Sequence, residues 1–223
     1  MNCAQQLVPN QTAVTKSRSL TFHPRPSLPG LITLALALML ARLPAQAKVM
    51  IAADGIARCL IVTQPGATPS ERYAAEELAA TLRQITGATF VTRELADNVP
   101  ASAIVVGAGP LTTQLFPEAN LAAFGGEEYL MRTQGGRLLL AGGRPRGTLY
   151  AVYRFLQDQL GVRYYAPWFT HYPNRSRLTL GTLNVRGKPA FEYRDPFWFP
   201  AFDGDWAARN GSTSATARLQ AKH

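Results

Sequence analysis

Two stretches of the chain carry apolar residues at the spacing of an amphipathic helix. The first follows Thr68-Pro69-Ser70-Glu71, in which the Thr hydroxyl and the Glu carboxylate can cap the first turn, and it is expected to end at Gly87. The second runs from Gly147 to Leu160 and is expected to end at Gly161. The apolar stripes are Tyr73, Ala74, Leu78, Leu82 and Ile85 in the first helix, and Leu149, Val152, Tyr153, Leu156 and Leu160 in the second.

Short apolar runs between turn residues predict the strands. These runs are Cys59–Thr63, Thr89–Arg93, Ile104–Gly107, Glu127–Thr133, Arg137–Ala141, Val162–Tyr165 and Leu178–Val185. The intervening Gln134-Gly-Gly136 is typical of a hairpin turn. Two main helices among roughly seven strands, some of them paired in hairpins, predict an α+β fold with a mixed β-sheet.

The first 47 residues have the features of a bacterial signal peptide. Basic residues between Lys16 and Arg25 precede the apolar run 31–41, and Ala45-Gln46-Ala47 fits a signal peptidase site. The apolar run is too short for a stable membrane span, which takes roughly 20 residues. We therefore expect cleavage near Ala47 and a secreted or periplasmic protein, with an uncleaved anchor or a misassigned start as the alternatives.

The formal net charge of +9 does not indicate nucleic-acid binding. Four of the 23 Lys and Arg residues lie in the leader, and the others are scattered rather than gathered on one predicted face. His23, His171 and His223 are far apart in the sequence, and removal of the leader leaves Cys59 as the single cysteine. We therefore expect no metal ion, no cofactor and no disulfide bond.

Two glycine-rich turns lie beside predicted strands, and each could suggest a phosphate loop. Gly107-Ala-Gly109 lacks a third glycine at dinucleotide spacing, and Gly142-Gly143 is not followed by the Lys-Ser/Thr pair that engages phosphate. We interpret both as turns. The backbone amides at Gly147-Thr148, flanked by Arg144 and Arg146, are an alternative site for an anion at a helix N-terminus.

Several motifs occur in an order and spacing that match a known protein family. They are Ser70-Glu-Arg-Tyr-Ala-Ala-Glu-Glu-Leu78 through Ile85-Thr-Gly87, then Ala141-Gly-Gly-Arg-Pro-Arg-Gly-Thr-Leu-Tyr150, and finally Gly161-Val-Arg-Tyr-Tyr165. Together they resemble the N-terminal domain of family 67 α-glucuronidases, which is related to the domain preceding the barrel in family 20 β-N-acetylhexosaminidases. The resemblance implies an α+β accessory domain over residues 48–187, ahead of a catalytic (β/α)8 barrel.

The same resemblance implies that residues 188–209 begin the barrel. Fewer than 40 residues follow Arg186, whereas a (β/α)8 barrel takes about 250. The carboxylates that catalyse glycoside hydrolysis lie in the barrel of these families. We therefore expect a truncated fragment that is inactive alone, with a disordered tail over residues 210–223. Asp203 and Asp205 are interpreted as solvated residues rather than as a catalytic pair.

Three residues are candidates for contact with a sugar. In the resembling families the Arg of a Pro-x-x-x-x-Arg segment can contact the sugar, and Arg194 matches that motif. A guanidinium suits sugar hydroxyls or a uronate carboxylate, and Trp198 and Trp206 could stack on a sugar ring. The alternative is that Arg194 pairs locally with Glu192 or Asp195 and that the aromatic residues belong to the core.

Three functions follow as hypotheses. The leading one is a non-catalytic accessory domain of a secreted glycoside hydrolase, acting on carbohydrate such as hemicellulose side chains or amino sugars. The second is a stand-alone carbohydrate-binding module with an aromatic platform drawn from Tyr164, Tyr165, Trp168 and Phe169. The third is a module that docks a separate barrel through Phe197-Trp-Phe199, Phe202 and Trp206, aromatic residues that would otherwise lie in water.

Overall fold

The computed structural model describes residues 48–213 and 220–223. Its α-helices are α1 (Pro69–Thr86), α2 (Pro110–Leu115), α3 (Gly147–Arg154) and α4 (Gly204–Arg209). Its strands are β1 (Val49–Ala53), β2 (Ile56–Ala57), β3 (Leu60–Thr63), β4 (Thr92–Glu94), β5 (Ala103–Val106), β6 (Tyr129–Gln134), β7 (Arg137–Gly142), β8 (Arg163–Ala166), β9 (Phe169–His171), β10 (Arg177–Leu180) and β11 (Asn184–Gly187). The predicted signal peptide and residues 214–219 of the predicted tail lie outside the described residues.

The main sheet has six strands in the order β11-β6-β7-β5-β3-β4. Strands β4, β3, β5 and β7 run parallel, and the β6–β7 hairpin adds antiparallel pairing that continues to β11. A three-stranded sheet, β10-β1-β2, and the β8–β9 hairpin complete the architecture. The predicted α+β fold with a mixed sheet is confirmed.

Both faces of the main sheet are covered. Successive residues of a strand point to opposite faces, so Ile104 and Val106 of β5 pack with the helices α1 and α3, while Val105 packs with Phe116 and Ala119 on the other side. The larger core, between the sheet and the two long helices, is therefore built by the same apolar stripes that the sequence presents at helical spacing.

The predicted capping box at the start of α1 is confirmed. The Glu71 amide donates to Thr68 Oγ1 at 3.2 Å, and the Thr68 amide donates to Glu71 Oε2 at 2.7 Å. The helix ends at Gly87, which has a left-handed φ of 72°. Capping satisfies amide groups that would otherwise lack partners at the helix terminus.

The second long helix also forms where the periodicity predicts it, but its last turn is wider than an α-helix. Residues Phe155–Gln159 are π-helical, and the Leu160 amide donates to the Phe155 carbonyl five positions earlier at 3.2 Å. The inserted residue lets both Phe155 and Leu156 reach the core. Gly161 then reverses the chain with a φ of 87°.

Two predicted strands begin two or three residues later than the apolar runs suggested. Strand β6 begins at Tyr129 rather than Glu127, and β4 begins at Thr92 rather than Thr89. Residues Gly125 to Glu128 instead turn back toward Gly143, whose amide donates to the Glu128 carbonyl at 2.9 Å. Among the described residues, no helix combines the length and apolar character needed to cross a membrane.

Candidate functional site

The carboxyl ends of β3, β5 and β7 lie at one edge of the sheet, where open α/β sheets usually bind their ligands. Here Gln64 fills the space. Its amide nitrogen donates to the Gly107 carbonyl at 2.9 Å and to Thr112 Oγ1 at 2.8 Å, and its oxygen accepts from the Leu111 amide at 2.8 Å. A Cβ at Gly109 would lie 2.7 Å from that oxygen, so this turn needs glycine for close approach.

A second buried polar side chain, Glu71, completes this edge. Besides the capping box, it accepts from the Ala108 amide at 3.0 Å and from Arg144 Nη2 at 3.0 Å. Arg146 lies 3.7 Å from Glu127. Both arginines beside Gly147 therefore already have carboxylate partners, and the strand ends are occupied by the chain's own side chains. This arrangement supports the interpretation of the glycine-rich segments as turns.

Arg194, the first predicted sugar contact, uses all its donors within the protein. Its Nη2 lies 2.9 Å from Glu127 and 3.2 Å from the Tyr150 hydroxyl, and its Nε donates to the Gly211 carbonyl at 2.6 Å. Its Nη1 donates to the carbonyls of Phe191 and Glu192. The carboxylate that pairs with Arg194 comes from Glu127, far away in the sequence. A sugar contact by Arg194 stays a prediction and would require some of these bonds to be exchanged.

The two predicted stacking residues lie in different environments. Trp206 is only 8% exposed, and its Nε1 donates to the Tyr164 carbonyl at 3.1 Å. Trp198 is 52% exposed and meets Trp206 edge to face, with ring centroids 5.4 Å apart. The structure thus brings the two tryptophans together, but only Trp198 presents a ring face to solvent. Sugar stacking by either residue stays a prediction.

The segment that follows β11 folds back onto the rest of the domain. It contains no strand between Gly187 and Thr213, all of which the structure describes, and its one α-helix is α4. Arg209 at the end of α4 forms a two-point ion pair with Glu77 of α1, at 2.9 and 3.0 Å. Whether this segment opens a barrel in a longer chain stays a prediction.

The two nearby aspartates have structural partners. Asp203 caps α4 by accepting from the Trp206 amide at 2.7 Å. Burial alone would raise the pKa of Asp205, but hydrogen bonds from Lys222 and His223 outweigh it and hold that pKa at about 2. Asp205 is therefore ionised over the whole range in which a general acid of a glycosidase would need its proton.

The remaining titratable groups in the part of the chain that the structure describes do not assemble into a metal site. No group of three or more His, Cys, Asp or Glu side chains among the described residues could hold a metal ion. Burial raises the pKa of the Cys59 thiol to about 12, so it is protonated at neutral pH. Cys59 therefore behaves as a core residue.

Large aromatic side chains are exposed on the β8–β9 hairpin and in the segment after β11. Tyr165 and Phe169 stack with their rings inclined by 15°, and Trp168 and Phe199 line one groove. The group comprises Tyr165, Trp168, Phe169, Phe197, Trp198 and Phe199, here called the aromatic surface; each of its members is more than half exposed. The sequence indicated all six of these residues. Tyr164, which was considered for the same platform, is instead buried, because successive residues of β8 point to opposite faces.

Comparisons with known proteins identify the class to which this fold belongs. The structure is similar to a solved family 115 4-O-methyl-α-glucuronidase with specificity for decorated arabinogalactans, with a TM-score of 0.52 and 19% identity over 64% of this chain. The likeness at this identity concerns the fold, and the chain spans only 19% of the length of that protein. A search of curated proteins found no match.

The sequence itself identifies the family. Residues 41–155 match the family described as glycosyl hydrolase family 67 N-terminus, and the chain belongs to it. It is therefore a domain associated with glycoside hydrolases, and its fold is that of an α-glucuronidase-type N-terminal domain.

Proposed function

We propose that this chain is a non-catalytic accessory domain of a secreted glycoside hydrolase and that its aromatic surface packs against a catalytic domain. The observation that carries the proposal is the exposure of Phe197 and Phe199, which are 86% and 75% exposed. Contiguous exposed apolar surface on a soluble protein marks an interaction site. Family membership supports a glycoside hydrolase domain as the partner.

The segment after β11, which contains Phe197 and Phe199, is anchored to the rest of the domain. This anchoring supports a docking surface that is ordered before the partner binds. Arg194 and Arg209 tie the segment to Glu127 and Glu77, and Trp206 is buried beneath Trp198. A surface held in place before association loses less conformational entropy when a partner binds. Phe197 and Phe199, between these anchors, are therefore suited to act as preformed contacts.

The test uses a separately produced catalytic barrel of a family 67 glycoside hydrolase as the probe and measures its binding to the full chain by calorimetry. Changing Phe197 and Phe199 to Ser should weaken binding about tenfold or more. The matched control changes Ile56 and Val91 to Ser, since these apolar residues are about half exposed but lie outside the aromatic surface. Absence of binding, or equal loss in the control, would contradict the proposal.

Secretion is part of the same proposal and rests on the leader pattern. Expression in a bacterial host with a secretion pathway should release a chain whose N-terminal residue is Lys48 or a near neighbour. Mass spectrometry of the exported protein measures this directly. A chain that stays in the cytoplasm with its leader intact would refute the secretion part and leave the docking part to its own test.

A second function, direct carbohydrate binding, is favoured by one observation. The rings of Tyr165 and Phe169 are nearly parallel, with centroids 5.8 Å apart, and both are exposed on the β8–β9 hairpin. Nearly parallel rings present a flat apolar face of the kind on which a sugar can stack. Affinity electrophoresis in soluble hemicellulose would retard the full chain if this function holds. Tyr165→Ala with Phe169→Ala should abolish the retardation, whereas Phe197→Ser with Phe199→Ser should not.

A further inference from the structure

A small cleft lies between α3 and the segment that folds back over it. Its volume is about 170 Å³, below the roughly 300–1,000 Å³ of pockets for drug-sized ligands. Its walls include Tyr150, Tyr153, Arg154, Lys188, Arg194 and Arg209. The cleft has room for one small ligand and is too small for an oligosaccharide.

The charged residues that line this cleft are all positive among the described residues. Arg154, Lys188, Arg194 and Arg209 all line it, and among the described residues no Asp or Glu does. Carboxylates do contact three of these cations, but they lie outside the lining: Glu127 with Arg194, Glu77 with Arg209, and Asp158 with Arg154 at a long 3.8 Å. Glu127 is shared with Arg146 as well. The local balance of charge therefore remains positive.

Several cationic donors at the cleft are unused within the described part of the protein. Lys188 forms no ion pair there, although the Glu128 charge is close enough to interact with it. Both bonds from Arg209 to Glu77 come from Nε and Nη2, which leaves Nη1 without a bond to a described residue. Charge-assisted hydrogen bonds to an oxyanion would use these donors.

Two buried tyrosines and two side-chain amides complete the lining of the cleft. The rings of Tyr150 and Tyr153 are buried, and their hydroxyls are held by Glu127 and Glu77 at 3.3 and 3.4 Å. The side-chain amides of Gln157 and Asn210 also line the cleft and can bond hydroxyl groups. Beside the cationic donors, they suit a ligand that carries an oxyanion on a hydroxylated body. A purely apolar ligand would leave the cations desolvated and unpaired.

We propose that this cleft is a binding site for a small, hydroxylated oxyanion, either a carboxylate or a phosphate ester. Lys188 and Arg154 supply the charge that attracts it. Arg194 and Arg209 shape the wall, since their carboxylate partners keep them in place. The proposal is independent of the docking function, because it uses none of the residues of the aromatic surface.

The experiment titrates the full chain by calorimetry with three probes: sodium glucuronate, glucose 6-phosphate and neutral glucose. We expect saturable binding of at least one anion, at least about tenfold tighter than binding of glucose, and weakening as salt rises. The anion that binds more tightly shows whether the site prefers a carboxylate or a phosphate. Lys188→Gln with Arg154→Gln should weaken binding of that anion about tenfold or more.

The matched control is Arg93→Gln, which removes one positive charge from an exposed position on β4 outside the cleft. It should leave anion binding unchanged. Thermal melting of each variant checks that it folds; Lys188 and Arg154 are exposed and make few contacts, so both variants are expected to fold. The proposal is overturned if glucose binds as tightly as the anions, or if Arg93→Gln weakens binding as much as the cleft variant. It is equally overturned if the cleft variant binds the anion as tightly as the unchanged chain. The same holds if binding of neither anion saturates by about 10 mM.

Discussion

At the scale of single residues, buried polar side chains determine what the ends of the parallel strands can do. Gln64 is 2% exposed and is bonded through both its nitrogen and its oxygen, while Glu71 is 1% exposed and accepts from two backbone amides and an arginine. Both side chains occupy space that a ligand would need. Gln64 and Glu71 therefore hold together the turns at the ends of these strands.

Replacing Gln64 by Ala should lower the free energy of unfolding by about 3 kcal/mol. The change leaves the backbone amides of Leu111 and Thr112 without their buried acceptor, and each unpaired amide carries a desolvation cost. It also removes one donor from the Gly107 carbonyl, which keeps its bond from Thr112 Oγ1. Urea unfolding measures the loss. Gln114→Ala is the matched control. Gln114 is exposed on α2, the helix that Gln64 contacts, and its loss should change stability by less than about 0.5 kcal/mol.

The pKa of Asp205 predicts how stability depends on acid. Its folded value of about 2 lies below the ordinary value of 3.8, so its contribution is present above pH 3.8 and is lost as the pH falls through 2. The side chain is 42% exposed, and solvent screening limits this contribution to about 1 kcal/mol.

Urea unfolding tests whether the Asp205 charge stabilises the fold. It is measured from neutral pH down to about pH 2, on Asp205→Asn and on the unchanged chain. The variant should be less stable at neutral pH, and the difference should vanish near pH 2. Exposed Asp97→Asn is the control. A difference that is independent of pH would show that the Asp205 charge does not stabilise the fold.

At the scale of elements, the segment from Pro189 to Thr213 is held by contacts between residues that are distant in sequence. Glu127 forms ion pairs with Arg194 and Arg146, and Glu77 forms one with Arg209. The side-chain amide of Gln157 also donates from Nε2 to the Arg209 carbonyl at 2.7 Å. The loops and helices before the segment therefore determine where it lies.

Glu127→Gln should loosen this segment without unfolding the sheet. The change removes the charge that pairs with Arg194 and leaves that guanidinium partly buried with a weaker partner. Hydrogen exchange of the amides from Phe191 to Thr213 should become about fivefold faster or more, while β5 and β7 keep their protection. Glu118→Gln, at an exposed position, is the control. Unchanged exchange in the segment would mean that Arg194 is not what anchors it.

The same elements explain what sequence patterns could and could not predict. The capping box at Thr68, the glycine ends of both long helices and the alternation of Tyr164 and Tyr165 depend on neighbours in the chain, and all were predictable. The ion-pair partner of Arg194 could not be predicted, because Glu127 is 67 positions away and no local pattern indicates it. Trp206 was counted with the exposed aromatic residues, yet its contact with Tyr164, 42 positions away, buries it.

At the scale of the whole molecule, apolar surface is distributed unevenly. The larger core lies between the main sheet and the long helices, whereas the aromatic surface lies outside it on the β8–β9 hairpin and the segment after β11. Leaving these rings in water forgoes roughly 25 cal/mol for every Å² of apolar area that a partner could cover. A covering partner therefore explains the surface better than chance exposure.

The most direct measurement is sedimentation velocity of the full chain over a range of concentrations. When no catalytic domain covers the aromatic surface, we expect the chain to self-associate through it, increasingly as its concentration rises. This self-association should disappear when Phe197 and Phe199 are changed to Ser and persist when Ile56 and Val91 are changed to Ser. A chain that stays monomeric, binds no hydrophobic dye and resists protease through Trp206 would contradict the claim that the aromatic surface requires a partner.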